Sequence, residues 1–302
     1  MMELDKSNYS HSIIPHQCLL RTPQGFSVNP RYSLVKDICE EEASPSQVKL
    51  YLDTFTQTPV VIKKVSKRKL LSPAQVVSAE RELKIHRSLQ HLNIVECFDT
   101  GETDSDYLLM LEYITKYDYF VDRLEVNNKP FNIKGDVEKL RSFSYDILSG
   151  LEYLHSNNVI HMDLKPANIM LQPESNYLEY PIVKIGDFGL SRRCNSSGGV
   201  FIDKQCGTDK YVAPEVRDGA WVTPAVDMWC YGLILHNLTV GFSPYVLKWT
   251  PGKPLTFNPR YWRKYEGTYL TDLISSCLCL HPSDRITAAQ ALEHPWFDFE
   301  NS

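Results

Sequence analysis

A chain of 302 residues is long enough to bury a substantial core, either as one large domain or as two lobes. Its 37 acidic and 32 basic residues give a formal net charge of −5, which argues against a nucleic-acid-binding protein that works through bulk basic charge. No uncharged apolar run reaches the length of a membrane span, so we expect no membrane segment. The eight cysteines show no Cys-x-x-Cys spacing and no signal peptide is visible, which predicts an intracellular protein, cytoplasmic or nuclear.

The first third of the chain has the pattern of short strands with one helix. Residues 1–30 have mixed polarity and three prolines, and we interpret them as an N-terminal extension, flexible or strap-like. A helix is expected after Ser72, because serine is a favoured N-cap and Pro73 suits the first helical position. The predicted strands are residues 32–38, 47–52, 60–65 and 107–113.

The rest of the chain has the pattern of a mainly helical unit. Apolar residues recur with a helical period over residues 137–155, which predicts one long helix. An apolar strand is expected immediately before Asp187, and residues 226–232 have the composition of a buried helix. The remaining segment to residue 297 favours further helices.

One stretch in the second half combines the side chains that phosphoryl transfer needs. It reads His161-Met-Asp-Leu-Lys-Pro-Ala-Asn168. Asp163 can accept the proton of an attacking hydroxyl, Lys165 can neutralise charge on the moving group, and Asn168 can hold a metal ion through its amide oxygen. An isolated Asp-x-Lys would be interpreted as a charged surface loop. Here Asp187-Phe-Gly189 follows nineteen residues after Asn168, and Ala213-Pro-Glu215 follows in turn, which favours a specific site.

These motifs resemble the catalytic loop, the metal-binding motif and the substrate-docking segment of eukaryotic protein kinases. The resemblance covers about residues 31–298, and Lys165 and Thr208 are similar to the serine/threonine type. Residues 284–297 are closest in style to calcium/calmodulin-dependent-type kinases. The resemblance implies a two-lobed α+β fold, with a small β-rich N-lobe at about 31–112 and a larger, mainly helical C-lobe at about 115–298.

The same resemblance implies the reaction and its cofactors. The chain would transfer the γ-phosphoryl group of ATP to serine or threonine hydroxyls of protein substrates in signalling. Asp163 is implied to be the base and Lys165 to stabilise the transferred charge, while Asn168 and Asp187 would hold Mg²⁺.

The nucleotide site is implied by the same comparison. Lys63 would contact the phosphates with Glu82 as its partner, and Glu80 is the alternative partner on a different face of the helix. Leu111 would be the gatekeeper beside the adenine, and Asp118 would contact the ribose. The full set of implied nucleotide-binding residues is Val48, Val61, Lys63, Leu111, Glu112, Ile114, Asp118, Asn168, Met170 and Asp187.

Other positions are implied to support the site. Asp227 would accept backbone N–H groups of the catalytic loop, and Glu215 would form an ion pair with Arg285. Thr208 would bond to Asp163 and Lys165. Two histidines would be packed structural residues: His161 near Phe188, and His86 where the family usually has an aliphatic side chain.

Two departures from the family pattern concern the nucleotide and the control of activity. The glycine-rich loop is absent, because its three glycine positions hold Glu41, Ala43 and Ser46 and three carboxylates lie at residues 40–42. Missing glycines restrict the approach of backbone to phosphate, and carboxylates repel it. Met162 replaces the arginine that pairs with an activation-loop phosphate, so activation through that contact is not expected.

Two alternatives to an active protein kinase each agree with part of the sequence. A pseudokinase, acting as a scaffold or allosteric partner, would explain the glycine-free loop. Against it, a scaffold has no need of the complete polar set of Lys63, Glu82, Asp163, Lys165, Asn168 and Asp187. A small-molecule kinase of the same fold is disfavoured because residues 206–215 resemble a peptide-docking loop.

Overall fold

The computed structural model describes residues 19–22, 25–40, 44–114, 136–172, 180–202, 206–217, 221–241 and 243–298. They form two compact units. The first comprises the chain up to Leu83 together with Glu96–Tyr113, and the second comprises Lys84–Val95 together with the chain from Ile114 onwards. Strands dominate the first unit and helices the second, so the predicted two-lobed α+β fold is confirmed.

The first unit begins with a β-hairpin inside the predicted extension. Strands β1 (Leu19–Thr22) and β2 (Gly25–Val28) pair antiparallel. The interpretation of residues 1–30 as a flexible or strap-like extension did not foresee this hairpin. Hydrophobic packing holds it in place, because Val28 lies against an apolar cluster on one face of the main sheet. That cluster comprises Tyr32, Tyr51, Val60, Ile62, Phe98 and Met110.

The main sheet of this unit has five antiparallel strands in the order β3-β4-β5-β7-β6. The strands are β3 (Tyr32–Glu40), β4 (Ser46–Asp53), β5 (Pro59–Ser66), β6 (Cys97–Glu102) and β7 (Asp106–Glu112). A 3₁₀ turn (Lys67–Lys69) follows β5. The other face of the main sheet packs on helix α1 (Pro73–Arg87), where Val65, Ala79 and Tyr107 form a small core. Because side chains alternate along a strand, the same strands supply residues to both faces of the sheet.

Helix α1 begins at Pro73, as the sequence Ser72-Pro73 predicted. Ser72 Oγ accepts from Gln75 N at 3.3 Å, and Gln75 Oε1 accepts from Ser72 N at 3.2 Å. This reciprocal pair is a capping box, and it satisfies two backbone donors that would otherwise lack a helical partner. Pro73 needs no such partner at the first helical position.

The second unit is built around two long helices, α2 (Val137–Ser156) and α4 (Ala225–Val240), whose buried faces share one hydrophobic core. Its shorter helices are α3 (Pro214–Arg217), α5 (Pro259–Trp262), α6 (Leu270–Cys277) and α7 (Ala288–Leu292). Its 3₁₀ turns are Pro166–Asn168, Pro244–Leu247, Arg263–Tyr265, Pro282–Asp284 and Pro295–Phe297. None of the helices described is both long and apolar enough to cross a membrane.

Three two-stranded ladders in this unit position the loops between the helices. They are β8 (Val159–Ile160) with β11 (Arg192–Arg193), β9 (Ile169–Gln172) with β10 (Ile182–Ile185), and β12 (Val200–Phe201) with β13 (Trp221–Val222). The segment after α1 belongs to this unit because its backbone pairs with β10. Val95 N donates to Ile185 O at 2.8 Å, and Ile185 N donates to Asn93 O at 2.9 Å.

Candidate active site

The first unit contains a buried ion pair between the sheet and α1. Lys63 Nζ lies 2.7 Å from Glu82 Oε1, and the two side chains are 14% and 6% exposed. Lys63 points to the helix because it shares a face of β5 with Val65, whereas Lys64 alternates to the other face. Glu80, the alternative partner, instead accepts from the Tyr107 hydroxyl at 3.1 Å. The structure thus pairs Lys63 with Glu82, as predicted; the catalytic role of the pair is a separate prediction.

Five of the predicted nucleotide-binding residues lie on strands of this sheet. Val61 pairs with Leu111 across β5 and β7, and Val48 pairs with Lys63 across β4 and β5. Glu112 N donates to Glu96 O at 3.0 Å, so this N–H is already used within the sheet. The adenine contact expected of Glu112 would therefore involve its carbonyl oxygen.

Several predicted positions lie outside the described residues. Of the glycine-free loop, residues 41–43 are outside, and Ser46 is the first residue of β4. Asp118, the expected ribose contact, is also outside, within residues 115–135. Ile114 is the last described residue before that stretch. These assignments stay predictions.

In the second unit, the carboxylate of Asp163 is held by a closed set of side chains. Lys165 Nζ donates to Asp163 Oδ2 and to Thr208 Oγ1, both at 2.7 Å. Thr208 Oγ1 donates to Asp163 Oδ1 at 2.8 Å, and Asn168 Nδ2 donates to the Asp163 backbone oxygen at 2.9 Å. The Asp163 side chain is only 10% exposed. The acid, the cation and the docking-loop hydroxyl therefore have one fixed arrangement.

The two predicted metal ligands are brought together by a backbone bond. Gly186 N donates to Asn168 O at 2.9 Å, which places Asp187 next to Asn168. The Asn168 amide nitrogen is used by the loop, so its amide oxygen is the atom suited to a metal. Asp187 has a φ of 58°, a left-handed conformation uncommon for residues other than glycine. A Cβ at Gly186 would lie 2.9 Å from Met170 Cε, the end of a flexible side chain that would have to shift.

This donor set fits a hard divalent cation. Both atoms are oxygens, which Mg²⁺ prefers, and Mg²⁺ usually takes one or two protein carboxylates with substrate phosphates and water. Among the described residues no group of three or more His, Cys, Asp or Glu could hold a metal. Two oxygen ligands from the protein leave coordination positions that phosphate and water can fill.

The backbone of the catalytic loop is fixed by a buried acid on α4. Asp227 is fully buried; Oδ2 accepts from His161 N at 2.8 Å and Oδ1 accepts from Met162 N at 3.0 Å. His155 Nε2 lies 3.0 Å from Oδ2. Asp227 was predicted from the sequence as the acceptor of loop N–H groups. His155 was not, because nothing in the sequence shows that the end of α2 reaches this carboxylate.

Two histidine rings flank Phe188. His161 is fully buried with its ring centroid 5.2 Å from that of Phe188, and His86 is 1% exposed at 4.7 Å. His161 Nδ1 accepts from Asp163 N at 3.3 Å, so Nε2 is the atom that donates to Gly186 O at 3.0 Å. Both rings are thus packed structural groups, as predicted.

The segment predicted to dock substrate, residues 206–215, is tied to the helices of the second unit. Arg285 binds both carboxylate oxygens of Glu215, at 2.5 and 2.8 Å, as predicted. Cys230 Sγ donates to Tyr211 O at 3.2 Å. Burial first, and then the negative charges of Asp227 and others, raise the pKa of the Cys230 thiol well above its usual value. The thiol therefore stays protonated and keeps its donor role, which the sequence did not indicate.

Met162 and the described residues of the segment after Asp187 are packed on the core of the second unit. Met162 is 5% exposed and packs in the core, with a φ of 71°. The β12–β13 ladder joins the segment to the residues just before α4, and Val222 and Ile202 are buried beside it. A Cβ at Gly199 would lie 2.6 Å from Val222 O, so the close approach requires glycine.

Comparison with known proteins agrees with this geometry. The protein kinase domain family matches residues 42–297. The chain is 31% identical over 277 residues to SNF1-related protein kinase catalytic subunit alpha KIN12 of Arabidopsis thaliana, covering 90% of this chain and 52% of that protein. It is 29% identical to the carbon catabolite-derepressing protein kinase of Candida tropicalis, covering 90% and 42%. It is 31% identical to serine/threonine protein kinase OSK3 of Oryza sativa subsp. indica, covering 83% and 47%.

The chain spans about half the length of the curated relatives it matches. The family match covers most of the chain and includes the Lys63–Glu82 pair, the Asp163 loop and the Glu215–Arg285 pair. The resemblance that the motifs suggested is confirmed at this level. The chain belongs to the protein kinase domain family.

Proposed function

We propose that this chain is an active serine/threonine protein kinase that transfers the γ-phosphoryl group of ATP to protein hydroxyls in signalling. The observation that carries this proposal is the closed contact set of Asp163, Lys165 and Thr208. A base and a cation fixed beside each other suit a reaction in which positioning and electrostatics supply most of the rate. A scaffold would need neither group in this geometry.

Each polar group then has one role. Asp163 orients the incoming hydroxyl and accepts its proton, and Lys165 stabilises charge on the transferred group. Lys63, held by Glu82, orients the α- and β-phosphates. Asn168 and Asp187 would hold Mg²⁺, which would neutralise phosphate charge when bound.

The serine/threonine class is supported by two lines. Lys165 and Thr208 make the contacts expected of that class, and OSK3 carries serine/threonine protein kinase in its name. We further propose a kinase domain over residues 31–298 and a cytoplasmic or nuclear location. The likeness of residues 284–297 to calcium/calmodulin-dependent-type kinases stays a prediction.

The scaffold alternative rests on the glycine-free loop at Glu41, Ala43 and Ser46. Carboxylates near a polyphosphate would weaken nucleotide binding. Asp163, Lys165 and Thr208 are all present despite this loop, so we expect a raised KM for ATP rather than loss of transfer. KM measured against Mg·ATP concentration therefore separates a weak nucleotide site from an absent activity.

The test uses ATP labelled at the γ-phosphorus, Mg²⁺ and a mixture of serine-, threonine- and tyrosine-containing peptides. Label on phosphoserine or phosphothreonine is expected after hydrolysis of the product. Label confined to tyrosine would contradict the substrate class. Absence of label in all peptides, from protein shown to be folded and to bind ATP, would favour the scaffold.

The β12–β13 ladder gives a second prediction. Gly199→Val should introduce about 1–3 kcal/mol of strain against Val222 O and Trp221. We expect phosphoryl transfer to fall roughly fivefold to a hundredfold. The strain lowers the fraction of molecules in which the ladder is formed, and about 1.4 kcal/mol changes that equilibrium tenfold. Ser197→Val, an exposed position in the same turn, is the matched control and should change the rate less than about twofold. Equal transfer rates for both variants would show that the β12–β13 ladder does not support phosphoryl transfer.

A further inference from the structure

The end of α1, the end of α2 and the start of the segment after Asp187 meet at an exposed polar junction in the second unit. Ser88 follows the last residue of α1, and its Oγ accepts from Arg193 Nη2 at 2.6 Å. Arg193 lies on β11, and its Nη1 donates to Asn157 O at 3.4 Å. Ser88 and Arg193 are both exposed, so a modifying enzyme can reach the hydroxyl.

We propose that Ser88 is a regulatory phosphorylation site whose phosphate is held by Arg193. The family's usual arrangement places the arginine in the catalytic loop, where this chain has the buried Met162. Here the arginine lies on the segment itself and the phosphate would be on the residue after α1. The contact would fix β11 to the end of the helix that also carries Glu82.

The group transfer uses ATP and a modifying protein kinase. Ser88 Oγ bonds to the γ-phosphorus, the bond from that phosphorus to the β–γ bridging oxygen breaks, and ADP leaves. The hydroxyl proton passes to the base of the modifying kinase. The donor bond from Ser88 Oγ to Ile85 O, at 2.7 Å, is lost. Ile85 O still accepts from Ser88 N at 3.0 Å, so no helical carbonyl is left without a partner.

The local charges decide whether a phosphate is stabilised here. A helix C-terminus carries a partial negative charge and disfavours an anion. Three full positive charges oppose this effect. They belong to Arg193, to the adjacent Arg87 and to Lys84 one turn earlier, and Arg87 and Lys84 are exposed. Arginine binds phosphate with charge-assisted, often bidentate bonds that are roughly twice as strong as neutral ones. Three cations outweigh about half a charge of the helix end.

The test places phosphoserine at position 88 of the full chain by codon suppression and follows amide hydrogen exchange. Cys194 N, which donates to Asn158 O at 2.8 Å, reports on the anchored segment. We expect its exchange to slow about fivefold or more relative to the unmodified chain. In an Arg193→Gln background, phosphoserine at 88 should leave the exchange unchanged relative to unmodified Arg193→Gln.

Phosphoserine at position 78 is the matched control. Ser78 lies ten residues earlier on the same helix and its Oγ accepts from Arg81 at 2.8 Å, so its phosphate would be held within α1. It should not change exchange at Cys194. No slowing with phosphoserine 88, or equal slowing without Arg193, would overturn the proposal. Because hydrogen exchange needs no catalysis, this outcome is independent of whether the chain transfers phosphate.

Discussion

Asp163→Asn is expected to reduce phosphoryl transfer by about 10²–10⁴-fold while leaving the affinity for ATP within about twofold. A positioned general base contributes a factor of this size. Asparagine keeps the shape of the side chain, but its amide nitrogen would face either Lys165 Nζ or Thr208 Oγ1, both of which donate to the native carboxylate. The rate is measured with γ-labelled ATP and the affinity by calorimetric titration.

The control is Asp104→Asn, which makes the same chemical change at an exposed position between β6 and β7. It should transfer phosphate at the parent rate. If Asp163→Asn and Asp104→Asn were equally active, Asp163 would have no part in the chemistry. The proposed assignment of the catalytic loop would then be wrong as a whole.

Lys63→Met is expected to lower transfer by about 10²–10³-fold, since one preorganised donor at a developing charge is worth roughly that much. Lys64→Met is the matched control, because the neighbouring lysine points to the other face of β5. It should retain transfer within about twofold. The comparison separates the specific contact from a general loss of positive charge.

Lys63→Met would also leave Glu82 unpaired at 6% exposure, which costs stability independently of catalysis. The double variant Lys63→Met/Glu82→Gln removes that buried charge. We expect thermal unfolding of the double variant to return towards the parent while transfer stays low. Recovery of both stability and transfer would show that Lys63 acts through folding and not on the nucleotide. Glu80→Gln alters the residue that accepts from the Tyr107 hydroxyl, and it should change the thermal stability and the transfer rate little.

The sequence predicted the fold because its local signals agree with one another. The pattern of residues 60–65 predicted strand β5, and Ser72-Pro73 predicted the start of α1. The motif around Asp163 predicted that Asp163, Lys165 and Asn168 lie together, since it is contiguous in the chain, whereas the contact with Thr208 came from the resemblance to the kinase family.

Contacts between distant segments were less accessible from sequence. His155 reaches Asp227 across 72 residues, and the β12–β13 ladder joins residues about twenty apart that carry no strand pattern of their own. The hairpin of β1 and β2 was missed because a run rich in proline and polar residues was interpreted as lead-in. In each case the position is decided by packing against a partner that local pattern does not reveal.

The most direct test of the account is the time course of phosphoryl transfer by chain that has been treated with phosphatase and then freed of it. The Asp163 contact set is complete, and Met162 lies in the core, where its thioether offers no partner for a phosphate. The account therefore predicts transfer to serine or threonine that is linear from the first time point, with Asp163→Asn as the blank. A lag that disappears as the chain becomes phosphorylated, or no transfer by folded protein, would contradict it.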